Sequence, residues 1–453
     1  MSQALFAPHA LLPDGWARDV LLTWDNSGAL TTVRAGAQPT PGAAVAAGPL
    51  IPGLPNLHSH AFQRAFAGLS EYRGAAEDSF WTWRDLMYRF ARSISPDQLE
   101  DIATHLYIEM LQAGYTAVCE FHYLHHDPAG QRYADPAEMS LRLVNAARRA
   151  GIGITLLPVL YQDAGFGGQP ARADQRRFTN NVESLLDIAA RIRATGTRVG
   201  VAPHSLRAVG PQALRELVDG IETTAPIHIH IAEQLHEVRE CSAWSGQRPV
   251  EWLLANSAVD ARWCLVHATH MTPAERAALA ASGAVAGLCP TTEANLGDGL
   301  FDAAPYLAEG GAWGIGSDSH ASVDVAEELR LLEYGQRLTL QRRNVLAPAA
   351  GAQVADALWL AASRGGAQAS GRAIAGIAVG QQADLVVLDD RDALAGMAPA
   401  RMLASHVFAN HGRRAVREVR VAGVLHVRDG EHALGRLACE RFVAARSALL
   451  RET

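Results

Sequence analysis

Two histidines one residue apart, His58 and His60, close an apolar run at residues 49–57, and later apolar runs close on His230, His267 and Asp318. In an extended strand alternate side chains share a face, so both imidazoles of the pair point the same way. A zinc finger gathers its ligands within one short segment, whereas these residues are spread from 58 to 318. Ligand-type side chains at the ends of separate short strands suit the mouth of a barrel, where strand ends converge on a catalytic metal.

The rest of the chain agrees. Apolar runs at 50–58, 116–122, 153–160, 198–204, 227–232, 263–268, 284–289 and 313–317 are short and continuous, as in parallel strands covered on both faces. Helical segments with clear punctuation lie between them. Ser95-Pro96-Asp97 opens one that stops at Gly114, Asp135-Pro136 opens another that stops at Gly151, and Thr272-Pro273 opens a third that ends near Gly283. Eight strands alternating with helices predict an α/β fold, a (β/α)8 TIM-like barrel over residues 51–371, with a doubly wound open sheet as the alternative. The flanks, 1–50 and 372–453, carry short strand-like pieces and are expected to pair into one small β-sandwich domain. Residues 162–178 read equally as a surface loop or as a lid over the barrel mouth.

Composition narrows the chemistry. All 40 Lys+Arg residues are arginine, so Schiff-base, P-loop and carbamylated lysines are excluded. A formal net charge of −7 offers no general attraction to nucleic acid or to an anionic membrane. Residues 1–20 lack the basic stretch and apolar core of a secretory signal, and no segment reaches the roughly 18 apolar residues of a membrane span. Five scattered cysteines without a C-x-x-C pair read as buried, reduced thiols, and the expected location is cytoplasmic.

Each candidate site residue has a bland reading when taken alone. Strand-end histidines are often only hydrogen-bonded, and Glu233 could be a surface carboxylate at the start of a helix. Three residues past His230, however, it is placed to carry protons beside an open coordination position. His267 and Asp318 end strands 6 and 8. Ligands at the ends of strands 1, 5, 6 and 8 together are poorly explained by chance.

At this point the chain resembles the amidohydrolase superfamily, in its mononuclear deaminase branch; the missing lysine agrees, since binuclear relatives commonly need one as a carbamylated bridge. Within that branch it is similar to the N-formimidoyl-L-glutamate deiminase family of histidine degradation. The run from Asn56 to Leu69 (NLHSHAFQRAFAGL) carries that resemblance together with Phe80-Trp81-Thr82-Trp83-Arg84, Glu120-Phe121-His122-Tyr123, Ala202-Pro203-His204-Ser205-Leu206-Arg207 and Gly316-Ser317-Asp318-Ser319-His320. The resemblance implies one divalent metal ion, Zn²⁺ with Fe²⁺ or Mn²⁺ as alternatives, on His58, His60, His230 and Asp318. It implies Glu233, His267 and Asp318 as catalytic residues, with proton transfer divided between Glu233 and Asp318. It implies a small dianionic amino-acid-derived substrate held by Gln63, Arg84, Tyr123, His204 and Arg207, and a homodimer. The reaction expected is hydrolytic deimination to N-formyl-L-glutamate and ammonia. Rivals are a deaminase of a purine, pterin or triazine ring, an imidazolonepropionase, and a non-catalytic scaffold.

Other residues invite over-reading. His122, His125 and His126 could suggest a second metal, but read as a polar loop. His228 has no decisive reason to be a ligand, His236 reads as helix surface, and His320 could face the pocket. His9, His406 and His411 read as structural or exposed, and Trp81 and Trp83 as pocket wall or packing.

Overall fold

A computed structural model describes residues 3–71, 80–409 and 411–452. Among the described residues no helix is long and apolar enough to cross a membrane. The barrel strands, numbered 1 to 8 here, are Leu54–Ser59, Tyr115–His122, Gly153–Leu160, the broken pair Arg198–Val199 and Ala202–Pro203, Ile227–Ile231, Trp263–His267, Val285–Leu288 and Ala312–Ile315. Strands 1 to 4 pair in parallel as one sheet and strands 5 to 8 as a second. Parallel bridges close the ring: Val201 to Ile227 and Ser205 to His230 on one side, Ser59 to Asp318 on the other. The two halves are thus joined at residues next to the expected metal ligands.

Helix punctuation works as written. Ser95 and Thr272 form capping boxes before Pro96–Gln112 and Pro273–Ser282. Gly151 and Gly283 end helices in the left-handed conformation, with φ of 79° and 76°. The second helix starts later than Asp135-Pro136 suggests, at Glu138, because Asp135 turns its side chain onto the amide of Ala137 (2.9 Å).

The run at 50–58 is two strands, not one. Leu50–Pro52 belongs to the terminal sheet and Leu54–Ser59 to the barrel. Gly53 separates them where a Cβ would fall on the side chain of Thr116. The terminal sheet has nine strands and is continuous across both ends of the chain, because Leu50–Pro52 pairs in parallel with Gln3–Leu12 and antiparallel with Leu385–Leu388. Its period-2 alternation feeds two cores. Leu50, Leu385 and Val387 join Val20, Leu22 and Trp24 in a small core. Ile51, Val386 and Leu388 face the large one.

The C-terminal flank is not all β. Gly435–Glu452 is a helix that lies on Pro96–Gln112 of the barrel, where Phe442 stacks on His105 with ring centroids 4.5 Å apart. Of the five cysteines, all free, four are buried and Cys439 is exposed on this helix.

Candidate metal centre

Strand alternation brings His58 and His60 to one face, with their Nε2 atoms 3.2 Å apart. His230, at the end of strand 5, places its Nε2 2.9 Å from that of His58. Asp318 Oδ1 lies 3.5 Å from His58 Nε2 and 3.3 Å from His60 Nε2. Three nitrogens and a carboxylate oxygen, from strands 1, 5 and 8, therefore surround one point.

The protonation states follow from the surroundings. His60 Nδ1 is 2.8 Å from the carbonyl of Phe121, which only accepts, so the ring proton sits on Nδ1 and Nε2 presents a lone pair. Burial pushes His58, His60 and His230 below the usual histidine range, His60 to about 3. Neutral imidazoles whose lone pairs converge beside a carboxylate repel one another unless a cation lies between them. The donor set thus fits a divalent metal.

The backbone is strained here. Ala232, His267, Ala268, Asp318 and His320 are non-glycine residues with positive φ, from 44° to 67°. Hydrogen bonds between strands hold them. Asn56 Nδ2 donates to Ser317 Oγ (2.6 Å), and the Ser317 amide donates back to Asn56 Oδ1 (3.1 Å). Glu120 on strand 2 accepts from Ser59 Oγ (2.6 Å), the Ala61 amide (2.6 Å) and Tyr107 (3.1 Å), which ties down the turn after His60.

His267 lies beside the ligand cluster. Its Nε2 is 3.7 Å from both Glu233 Oε1 and Asp318 Oδ2, and its Nδ1 is 3.3 Å from Glu293 Oε1. Burial opposes a charge on this ring, but Glu233, Glu293 and Asp318 outweigh it and raise His267 to about 10. Burial likewise pushes Asp318 up to about 7. Glu237, one turn past strand 5, accepts the amides of Ala232 and Glu233, both at 3.2 Å, and so holds the turn that presents Glu233.

Above the cluster a partly enclosed cavity opens. Gln63, Arg84, Tyr123, His204 and Arg207 all line it, together with Glu233, His267 and Asp318. Gln63 Nε2 donates to Tyr123 (2.9 Å), and its buried Oε1 has no partner among the described residues. Burial and Arg207 together hold His204 neutral. Arg64, next to Gln63, points elsewhere: it forms a two-pronged pair with Glu109 (2.8 and 3.1 Å). Trp83 is wall; the side chain of Trp81 lies outside the described residues.

Of the other histidines, some stand as expected and some do not. His320 does not face the cavity; it is fully buried, bonded to Ser59 Oγ (3.2 Å) and Ser317 Oγ (3.0 Å). His122, His125 and His126 are buried rather than part of a polar loop, with His125 on the carbonyl of Val159 and His126 on that of Thr179. His228 bonds to the carbonyl of Ala369 and takes no part in the cluster. His406 is buried, and His236 pairs with Glu240 on an exposed helix face.

Sequence reasoning missed Glu293, Glu237, Tyr88, Tyr161 and Phe178. Two of these carried a signal: Tyr161 directly follows strand 3, and Tyr88 is one helical turn past Arg84. Segment 162–178 is neither a bare loop nor detached. It forms a short hairpin (Asp163–Gly165 with Gln169–Pro170) and contributes Phe178 to the cavity wall. It is anchored by the buried Arg177, which donates to the carbonyls of His126, Ile94 and Ala91.

Known proteins with this arrangement can be compared directly. Residues 50–425 match the amidohydrolase family, and residues 2–45 match the family described as formimidoylglutamate deiminase HutF, N-terminal domain. The chain is 55% identical over 451 residues to the formimidoylglutamate deiminase of Pseudomonas aeruginosa, covering 99% of both chains. A solved amidohydrolase from Brucella melitensis superposes with a TM-score of 0.95 at 46% identity, over 99% of this chain and 100% of that one. An adenosine deaminase from Xanthomonas campestris, solved with bound zinc, superposes at 0.80 with 22% identity, over 99% and 98%, a likeness of fold alone.

Proposed function

This chain belongs to the amidohydrolase family, among its formimidoylglutamate deiminases, and from that premise we propose that it hydrolyses N-formimidoyl-L-glutamate to N-formyl-L-glutamate and ammonia. The observation that carries the reading is one cavity whose floor is the ligand cluster and whose walls hold two arginines, Arg84 and Arg207. A dianionic amidine needs both features. Arginine presents a planar fork matched to a carboxylate, and Arg207 is only 8% exposed, where water competes little for its partner. A neutral purine, pterin or triazine offers these arginines no carboxylate to hold.

Members of the family bind a divalent metal. Here His58, His60, His230 and Asp318 would hold it, and three imidazoles with one carboxylate favour Zn²⁺. When bound, the ion supplies Lewis acidity that brings the pKa of water to ~7. The remaining work falls to side chains. Glu233 carries the proton taken from the attacking water to the departing nitrogen. His267 donates a hydrogen bond to the oxygen that adds to the formimidoyl carbon, and Glu293 keeps that ring oriented. Gln63 and His204 orient the formimidoyl group, Tyr123 adds a hydroxyl donor, and Arg84 and Arg207 receive the carboxylates. Water adds to the carbon as Glu233 moves its first proton to the terminal nitrogen; the carbon–nitrogen bond then breaks as the new hydroxyl gives up its proton through Glu233 or Asp318 to that nitrogen, and ammonia leaves with the carbonyl formed.

The test is ammonia release from N-formimidoyl-L-glutamate by zinc-reconstituted protein against a chelated control. Metal-dependent release with N-formyl-L-glutamate as product supports the reading. No release from protein that demonstrably holds one metal overturns it.

A further inference from the structure

Three polar side chains at the cavity share hydrogen bonds so that phenol donors are left to give. Gln175, on the turn Ala173–Gln175, donates from Nε2 to the phenol oxygens of Tyr161 (2.8 Å) and Tyr88 (3.2 Å). Both of its amide hydrogens are thereby committed. Each phenol oxygen thus accepts from Gln175 and keeps its own O–H to give, and no acceptor for the O–H of Tyr88 is found among the described residues. Tyr88 lines the cavity at 4% exposure, where a donor without an acceptor is costly. Its ring lies 5.6 Å from the guanidinium carbon of Arg84 and 5.4 Å from that of Arg172. Arg172 is paired with Asp174, but a phenol donor beside Arg84 that faces the cavity suits an anion.

We propose that Tyr88 determines substrate specificity by donating its O–H to the carboxylate received by Arg84, with Gln175 and Tyr161 as positioning residues that aim it. The inference rests on the dicarboxylate reading above. It also gives the segment after strand 3 a role: Gln175 reaches across to the helix Phe80–Ser93 and fixes the phenol in advance of substrate.

The experiment compares wild type, Tyr88→Phe, Gln175→Leu and the double variant on three substrates. These are N-formimidoyl-L-glutamate, N-formimidoylglycine, which lacks the side-chain carboxylate, and 4-(formimidoylamino)butyrate, which lacks the α-carboxylate. Tyr88→Phe should raise KM for the dicarboxylate ~10-fold or more, with kcat within ~2-fold, the loss expected for one hydrogen bond to a charged group. The penalty should vanish for the one truncated substrate that lacks the carboxylate in question. Gln175→Leu should raise KM less, and add nothing once Tyr88 is phenylalanine. An unchanged KM in Tyr88→Phe overturns the proposal, as does an equal penalty on all three substrates. Glutarate binding by calorimetry separates the two readings, since it needs no turnover. A wild type that binds glutarate ~10-fold tighter than Tyr88→Phe, yet releases no ammonia, upholds Tyr88 and sinks the reaction. Equal glutarate affinity in the two proteins sinks Tyr88 whatever the reaction proves to be.

Discussion

Nδ1 of His267 lies 3.3 Å from Oε1 of Glu293, and the same carboxylate oxygen accepts the amide of Cys289 at 2.9 Å. Glu293 therefore ties the ring at the end of strand 6 to the helix start after strand 7. Glu293→Gln should keep the metal and lower kcat about 10- to 100-fold, the usual effect of removing a partner that orients a site residue. Metal analysis alongside steady-state kinetics checks it; unchanged kcat would leave Glu293 a merely structural cap.

Glu233 stands 3.7 Å from His267 Nε2, and its turn is pinned by Glu237. Glu233→Gln preserves shape and removes the proton carrier. Turnover should fall by a factor of ~10²–10⁴ with metal content intact. Wild-type turnover in that variant would remove Glu233 from the mechanism.

Arg84→Met and Arg207→Met should act on KM, not on kcat. Each loses a charged partner for a carboxylate, worth about 10- to 100-fold in KM for the dianion. The buried Arg207 should cost more than the part-exposed Arg84, because water replaces it less well. Loss confined to kcat would show that the arginines do not bind the carboxylates.

Acid should destabilise the fold through histidines remote from the centre. Burial pushes His125 and His406 down to about 4, against an ordinary value of ~6.5. Below pH ~6.5 the unfolded chain binds protons that the folded chain refuses, so stability falls as pH drops towards 4. Each group contributes up to about 3 kcal/mol to that loss. The drop in Tm between pH 7.5 and 5 should be smaller in His406→Leu, since neither ring nitrogen of His406 has a hydrogen-bond partner among the described residues. Equal drops in the two proteins would contradict this.

The helix Val354–Ser370 crosses strand 8 so closely that a Cβ at Gly365 would fall on the carbonyl of Trp313. Backbone cannot yield as a flexible side chain can. Gly365→Ala should lower Tm by about 5 °C, an overpacking cost at the base of the barrel. A thermal melt with undiminished Tm would show that the helix can shift.

Much of this protein is written in local pattern. Continuous apolar runs alternate with capped helices, and caps such as Ser95 and Thr272 act within three residues of themselves. That suffices for barrel strands and for the residues at their ends, because a strand end is a local property. His58, His60, His230, His267 and Asp318 are therefore legible in the chain as strand-end ligand types. So is the choice between two faces, since alternation is carried by adjacent residues.

What adjacency does not carry was decided by closure of the ring. Leu50–Pro52 reads as part of strand 1, yet it pairs with Leu385–Leu388 at the far end of the chain. His320 reads equally as facing the pocket or not, and Ser59 and Ser317, which meet only when strand 8 returns to strand 1, take both of its nitrogens. Glu293, Tyr88 and Gln175 gain their partners across 26, 87 and 14 residues of chain. Sequence by itself determined the strands and the chemistry at their tips. Only tertiary structure decided which buried polar groups satisfy which, because a buried donor takes whatever acceptor the packing brings, not the one nearest in sequence.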